Sequence, residues 1–188
     1  MDLTPYLHEQ LDWHWTHQAR PRLDGLTDEE YLWEPVAGTW NVRRRDEEAP
    51  ASVTMRAGGG EWIVDYAFPD PEPAPVTSIA WRLAHVVVGV LGMRAHSHFA
   101  APEIHYETWE APGTAAGALA ELDRVYADWS AGVKALTAEQ LAAPVGEKEP
   151  GWEESPMIQL VLHINRETIH HLAEVALLRD LWGHRFDR

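Results

Sequence analysis

The sequence predicts an all-α fold: a four-helix bundle with a long excursion between the first and second helices that can hold a short β-hairpin. Three observations carry this. Four long stretches are apolar at helical spacing or open on helix cap signals. Between residues 39 and 75 that period is lost, and glycine and proline become frequent. At 188 residues, with no internal repeat or low-complexity tract, the chain has the size of one domain with a substantial core, so 1–188 is read as a single unit.

The first helix is expected over Thr4–Arg20, where Leu3, Leu7, Leu11 and Trp15 recur every four residues and Pro21 ends the run. Thr27 with Glu30 three residues on is a capping signature for a short helix closed before Pro35. From Thr39 to Pro75, "TWNVRRR" and "GGGEWIVDYAF" read as short strands around a glycine turn, and "PDPEPAP" as a stiff extended linker, so the excursion forms a hairpin or a lid. The second long helix is placed at Ser78–Phe99. Its many valines permit a strand, but about twenty residues without a turn signal favour a buried helix. The third follows from Leu119, Leu122, Tyr126, Trp129 and Val133 at three- and four-residue steps, with a capped turn, "TAEQL", behind it. The last runs from a Ser155 cap, with Pro156 at its first position, through "LLRDLW". The long first connection points away from a simple up-down topology.

Composition narrows the function classes. A formal charge of −15 argues against nucleic acid, and the one basic cluster, Arg43 to Arg45, runs straight into Asp46, Glu47 and Glu48. With no cysteine, disulfides and thiolate metal sites are excluded, and any metal must be held by histidine and carboxylate. No apolar run reaches the ~20 residues of a membrane span, and "MDLTPYLHEQ" lacks the basic and apolar regions of a secretion signal. The expected location is the cytoplasm.

The stretch "HINRETIHH", residues 163–171, is the main pointer to chemistry. At the helical period His163, Glu167, His170, His171 and Glu174 share one strip about 100° wide, while Leu162, Ile164, Ile169, Leu172 and Val175 fill much of the remaining surface. One reading is a solvated face. The other is a metal site: Glu167 and His171, one turn and about 6 Å apart along the axis, can reach one ion. A neutral imidazole and a carboxylate suit zinc and other first-row divalent ions. A third ligand must come from another element. His85 lies in the apolar run "IAWRLAHVVVGVLG", where a buried imidazole needs either a core hydrogen bond or a metal.

Trp81 four residues before His85, then Glu167-x3-His171 on the last helix, resembles the DinB/YfiT superfamily of metal-binding four-helix bundles. The likeness covers nearly the whole chain in element order. Many members carry histidine where this chain has Glu167; the mycothiol-dependent maleylpyruvate isomerases of the superfamily share the His…Glu-x3-His set and hold zinc with it. The resemblance implies a divalent metal on His85, Glu167 and His171, zinc foremost with nickel, iron or manganese as alternatives, and one or more positions left to water or substrate. It also implies a homodimer. His163 and His170 are reserve ligands or partners of the ligands, and Trp81 is a candidate pocket wall. His17, which pairs with His14 at i, i+3 on the first helix, can line the same pocket. His96 and His98 fall at the end of the second helix, where polar tips suit the carbonyl end of the dipole. The ten tryptophans are read mainly as packing.

An open metal site points to a metal-dependent enzyme of the thiol-transferase or isomerase kind, joining a low-molecular-weight thiol to an electrophile. No catalytic residue beyond the ligands is assigned. The isomerases with this ligand set carry a further C-terminal domain, whereas here the chain ends about seventeen residues after His171. A metal-dependent hydrolase would use the same site with water. A non-catalytic module holding a metal or small molecule is the reading from a different class.

Overall fold

A computed structural model describes residues 2–186. The apolar side chains at three- and four-residue steps build four long helices. Helix α1 covers residues 4–22, α3 covers 79–99, α4 is Ala115–Lys134 and α6 is Met157–Gly183. Each packs on two of the others: α1 and α3 both lie against α4 and α6. Leu11, Trp15, Leu83, Val87, Leu91, Leu122, Trp129, Ile164 and Val175 from all four helices are buried in one shared core. Two short α-helices, α2 (Asp28–Tyr31) and α5 (Ala138–Ala142), and a 3₁₀ turn at Gly146–Lys148 complete the helical part.

Helix starts follow the cap residues. Thr27, Ser78, Thr114 and Thr137 each accept a hydrogen bond from the backbone N–H three residues on, and Thr137 with Gln140 makes a full capping box. Such a cap stabilises a helix by about 1 kcal/mol. The last helix departs from expectation. Pro156 takes the extended cap position, with φ −70° and ψ 150°, and Met157 is the first helical residue, so Ser155 is not the cap. Proline's fixed φ serves this extended residue as well as it would serve the first turn.

Two of the long helices contain π-helical turns that periodicity did not foretell. In α1, Trp15–Ala19 is π-helical and the chain continues helically to Arg22, two residues beyond the expected end. The wider turn relieves the clash that the Pro21 ring would make with the turn before it. In α3, the valine-rich run is helical as expected, and His85–Gly92 within it is π-helical.

The excursion is more than a hairpin, and it makes the fold mainly rather than wholly α. Strands β1 (Val42–Arg44), β2 (Met55–Ala57) and β3 (Trp62–Tyr66) form an antiparallel sheet in the order β1-β3-β2, with Val42 opposite Val64 and Met55 opposite Tyr66. The expected pairing of the 39–45 and 58–68 segments holds; β2 was not foreseen, because "TMRA" is too short to show alternation. The sheet packs on the first turns of α3. Asp65, fully buried, binds the Arg43 guanidinium at 2.7 Å and the Asn41 N–H at 3.0 Å. The Asp65 carbonyl accepts from Trp81 Nε1 at 2.8 Å, which ties the sheet to the turn that precedes His85. Arg43 to Arg45 are consumed by acids and carbonyls of the same sheet region, in line with the mixed-charge reading. Among the described residues no helix is long and apolar enough to cross a membrane.

Candidate metal centre

The side chains that sequence spacing singled out meet where α3 lies against α6. His85, on the first π-helical residue of α3, and His171 of α6 face each other edge to face, with ring centroids 4.7 Å apart. Glu167, one turn before His171, places Oε2 3.7 Å from His171 Nε2. Trp81 stacks on His85, with ring centroids 5.6 Å apart and planes 12° from parallel, and forms a wall of the site. His171 is buried, while Glu167 keeps about a quarter of its side chain in solvent. The site is therefore closed on the core side and open on one rim.

Both imidazoles have their Nδ1 atoms engaged. His85 Nδ1 lies 3.2 Å from Tyr106 Oη, and His171 Nδ1 lies 2.8 Å from Glu174 Oε2. An ionised carboxylate can only accept, so with Glu174 ionised the hydrogen bond of that second pair is donated from His171 Nδ1. Arg82 fixes Glu174 in turn, with Nε 3.1 Å from Oε2. Gly89 makes room for the Tyr106 contact: a Cβ there would stand 2.6 Å from the tyrosine hydroxyl.

Electrostatics favour a neutral His85 ring near an ionised Glu167 carboxylate. Burial pushes the His85 ring down to about 4, and the nearby His171 and Arg82 add to that effect. Burial opposes the charged form of Glu167, yet the hydrogen bond from Arg166 and the surrounding positive charge hold its carboxyl below the usual range. Two imidazole nitrogens and a carboxylate oxygen form the donor set that borderline divalent cations take. In donor chemistry the residues suit such an ion, but among the described residues the three whose ligand atoms lie within 4.8 Å of one another are His170, His171 and Glu174.

A second grouping shares His171. One ligand atom from each of His170, His171 and Glu174 lies within 4.8 Å of the others, so these three could hold a metal ion. His170 is largely exposed, and its Nε2 stands 3.5 Å from Glu174 Oε1.

The remaining sequence candidates stand apart. His163, at the outer end of the strip, accepts from Arg166 Nη2 at 2.6 Å and lies 3.7 Å from Glu167 Oε1. His17 is exposed on α1, stacked on Trp13 at 5.1 Å, with Nδ1 3.0 Å from the Trp13 carbonyl and 2.8 Å from Thr16 Oγ1; among the described residues none of its contacts leads to His85, Glu167 or His171. His98 is buried on Glu149 and His96 reaches the Ala101 carbonyl, the structural roles expected for them. Sequence reasoning did not give Arg82, Tyr106 or Glu174 a role. Glu174 and Arg82 each lie three residues from a candidate ligand, a spacing that could have marked them; Tyr106 sits in a loop and left no signal.

A cavity of about 500 Å³ opens further along α6, between its first turns and the 145–155 loop. His163 and Arg166 line it, but His85 and His171 do not.

No curated protein and no solved structure matches this chain. The family comparison is positive over most of its length: the DinB superfamily matches residues 10–175, which takes in Trp81, His85, Glu167 and His171 alike. With the histidine of the second long helix set against the Glu-x3-His turn of the last, and that match spanning both, the chain belongs to the DinB superfamily.

Proposed function

We propose that this protein binds a divalent metal, zinc foremost, through His85 Nε2, His171 Nε2 and the Glu167 carboxylate, and uses it to activate a small thiol. The observation that carries the metal reading is shared by the two rings: both Nδ1 atoms already lie against partners, Tyr106 and Glu174, and with the protons on Nδ1 both Nε2 atoms are left for one ion. Ligating histidines are ordinarily oriented by such a contact on the far nitrogen. The alternative set built on His170 would instead draw His171 Nδ1 and Glu174 to the ion. Arg82 bears more closely on that set, because its guanidinium stands 3.1 Å from Glu174 and 3.5 Å from His171 Nδ1, although its charge also reaches His85.

When bound, the cation supplies Lewis acidity that lowers the pKa of a coordinated thiol or water. The chain's own groups do the rest. Glu174, steadied by Arg82, accepts the His171 Nδ1 proton and fixes that ring's tautomer. A proton on His85 Nδ1, donated to Tyr106 Oη, does the same for the other ring. Trp81 and the valines beside His85 exclude water from the core side, while the Glu167 rim admits a small ligand. Thiol chemistry is favoured over hydrolysis by likeness of the His…Glu-x3-His set to that of the thiol-dependent isomerases; the geometry serves both nucleophiles.

The test is spectroscopic. Cobalt-substituted, untagged protein is titrated with a small thiol such as 2-mercaptoethanol. Thiolate coordination adds a sulfur-to-metal charge-transfer band, and the apparent pKa of that change falls below the ~8.5 of a free thiol. A cobalt spectrum unmoved at any thiol concentration removes the thiol reading and leaves water activation or a structural ion.

A further inference from the structure

The roughly 500 Å³ cavity beside the first turns of α6 has the size of a small-molecule site, and its charge runs against that of the molecule. The protein carries a formal −15, yet two arginines, Arg94 and Arg166, line this cavity against one acid, Glu149. That acid is already engaged on both oxygens: Arg94 Nη2 lies 3.3 Å from one and His98 Nε2 lies 3.1 Å from the other. The positive charge of Arg166, 69% exposed, is shared with Glu167 at 3.2 Å. Arg94 Nη1 also donates to the Gly89 carbonyl, and its Nε is buried with no acceptor among the described residues. The other walls are apolar. Val145 and Leu160 are buried, while Leu162 and Trp152 are 47% and 63% exposed, so a large indole and a leucine stand in water beside two guanidinium groups.

We propose that this cavity is a binding site for a small organic carboxylate with an aromatic or alkyl body. The apolar body lies on Trp152, Leu160 and Leu162, and the carboxylate is met by the guanidinium groups of Arg94 and Arg166. A guanidinium fork matches a carboxylate in shape and charge, and an indole face suits a flat apolar group. A cationic ligand meets the wrong sign of charge, and a polar ligand without a body leaves Trp152 and Leu162 in water. This site is separate from the proposed metal centre and does not rest on it: neither His85 nor His171 lines the cavity.

The experiment is calorimetric titration of the full chain with 4-phenylbutyrate, 4-phenylbutanol and 4-phenylbutylamine, which share one body and differ in charge. The acid binds, and the alcohol and amine bind at least several-fold more weakly. Arg166→Gln, an exposed change that spares the core, weakens the acid by about fivefold, the weight of a solvent-exposed charge pair, and leaves the alcohol unchanged. Trp152→Ala, equally exposed, weakens acid and alcohol together. Binding of the acid persists in excess chelator. The proposal is overturned if the acid does not bind, if all three probes bind alike, if Arg166→Gln has no effect on the acid, or if chelator abolishes binding and so assigns the carboxylate to a metal.

Discussion

His171 belongs to both metal groupings, and each asks a different thing of its ring. Binding with His85 and Glu167 uses Nε2 and keeps the Nδ1 contact to Glu174; binding with His170 and Glu174 brings an ion in beside the Arg82 guanidinium. Single substitutions separate them. In untagged protein, His85→Ala and His171→Ala are each expected to lose stoichiometric zinc binding with the helical far-UV signal retained, as one of three chelating groups is gone. Glu167→His restores the commoner superfamily set and keeps the ion. Glu174→Gln still binds one ion per chain, weakened about ten- to a hundredfold, because it removes a charged partner of a ligand rather than a ligand. His170→Ala binds as the parent does. Metal analysis by dialysis equilibrium checks all five; retention by His85→Ala with loss by His170→Ala assigns the ion to the second grouping.

The elements that hold these residues were legible in the sequence to different degrees. The helix of residues 79–99 announced itself by length without a turn signal and that of 115–134 by apolar spacing, while their caps, Ser78 and Thr114, were not singled out. The π turn that begins at His85 left no such mark. A π turn is a register change, decided by what α4, α6 and Tyr106 press against α3 and not by the residues of α3 alone. The loop before α6 was similarly opaque, because its anchor is a tertiary one. Glu149 joins that loop to α3 through Arg94 and His98. Burial disfavours its charged form, but the His98 and Arg94 contacts outweigh this and hold the carboxyl below its ordinary range. A depressed carboxylate pKa stabilises the fold at pH values above the ordinary carboxylate range, and that stability is lost as pH falls through the folded-state value. Glu149→Gln should therefore lower stability near neutral pH, by about 2–3 kcal/mol for a largely buried pair that loses one partner. It should also flatten the acid side of the stability–pH curve. Urea denaturation of parent and variant from pH 7 to pH 3 reads both effects; a constant difference across that range would mean that Glu149 contributes packing and not charge.

At the scale of the whole molecule, the site is a product of topology. The polar strip of α6 and the lone histidine of the 79–99 helix are each visible in sequence, and spacing alone paired Glu167 with His171. What spacing could not supply was the second layer, Tyr106 from a loop and Arg82 from α3, because those residues become neighbours of the ligands only when α3 packs on α6. The sheet was partly legible: the segments of β1 and the central β3 were found, and the edge strand β2 was missed. The sheet's place against α3, with Trp81 bonded to the Asp65 carbonyl and stacked on His85, makes it a brace for the site rather than a detached lid. The most direct measurement is anomalous diffraction at the zinc edge from zinc-loaded crystals of the untagged chain. The expected result is one peak between α3 and α6, about 2.0–2.1 Å from both His85 Nε2 and His171 Nε2 and about 2.0–2.2 Å from a Glu167 oxygen, with His171 Nδ1 still on Glu174. A peak on His170, His171 Nδ1 and Glu174, or no ordered peak near His85, would contradict it.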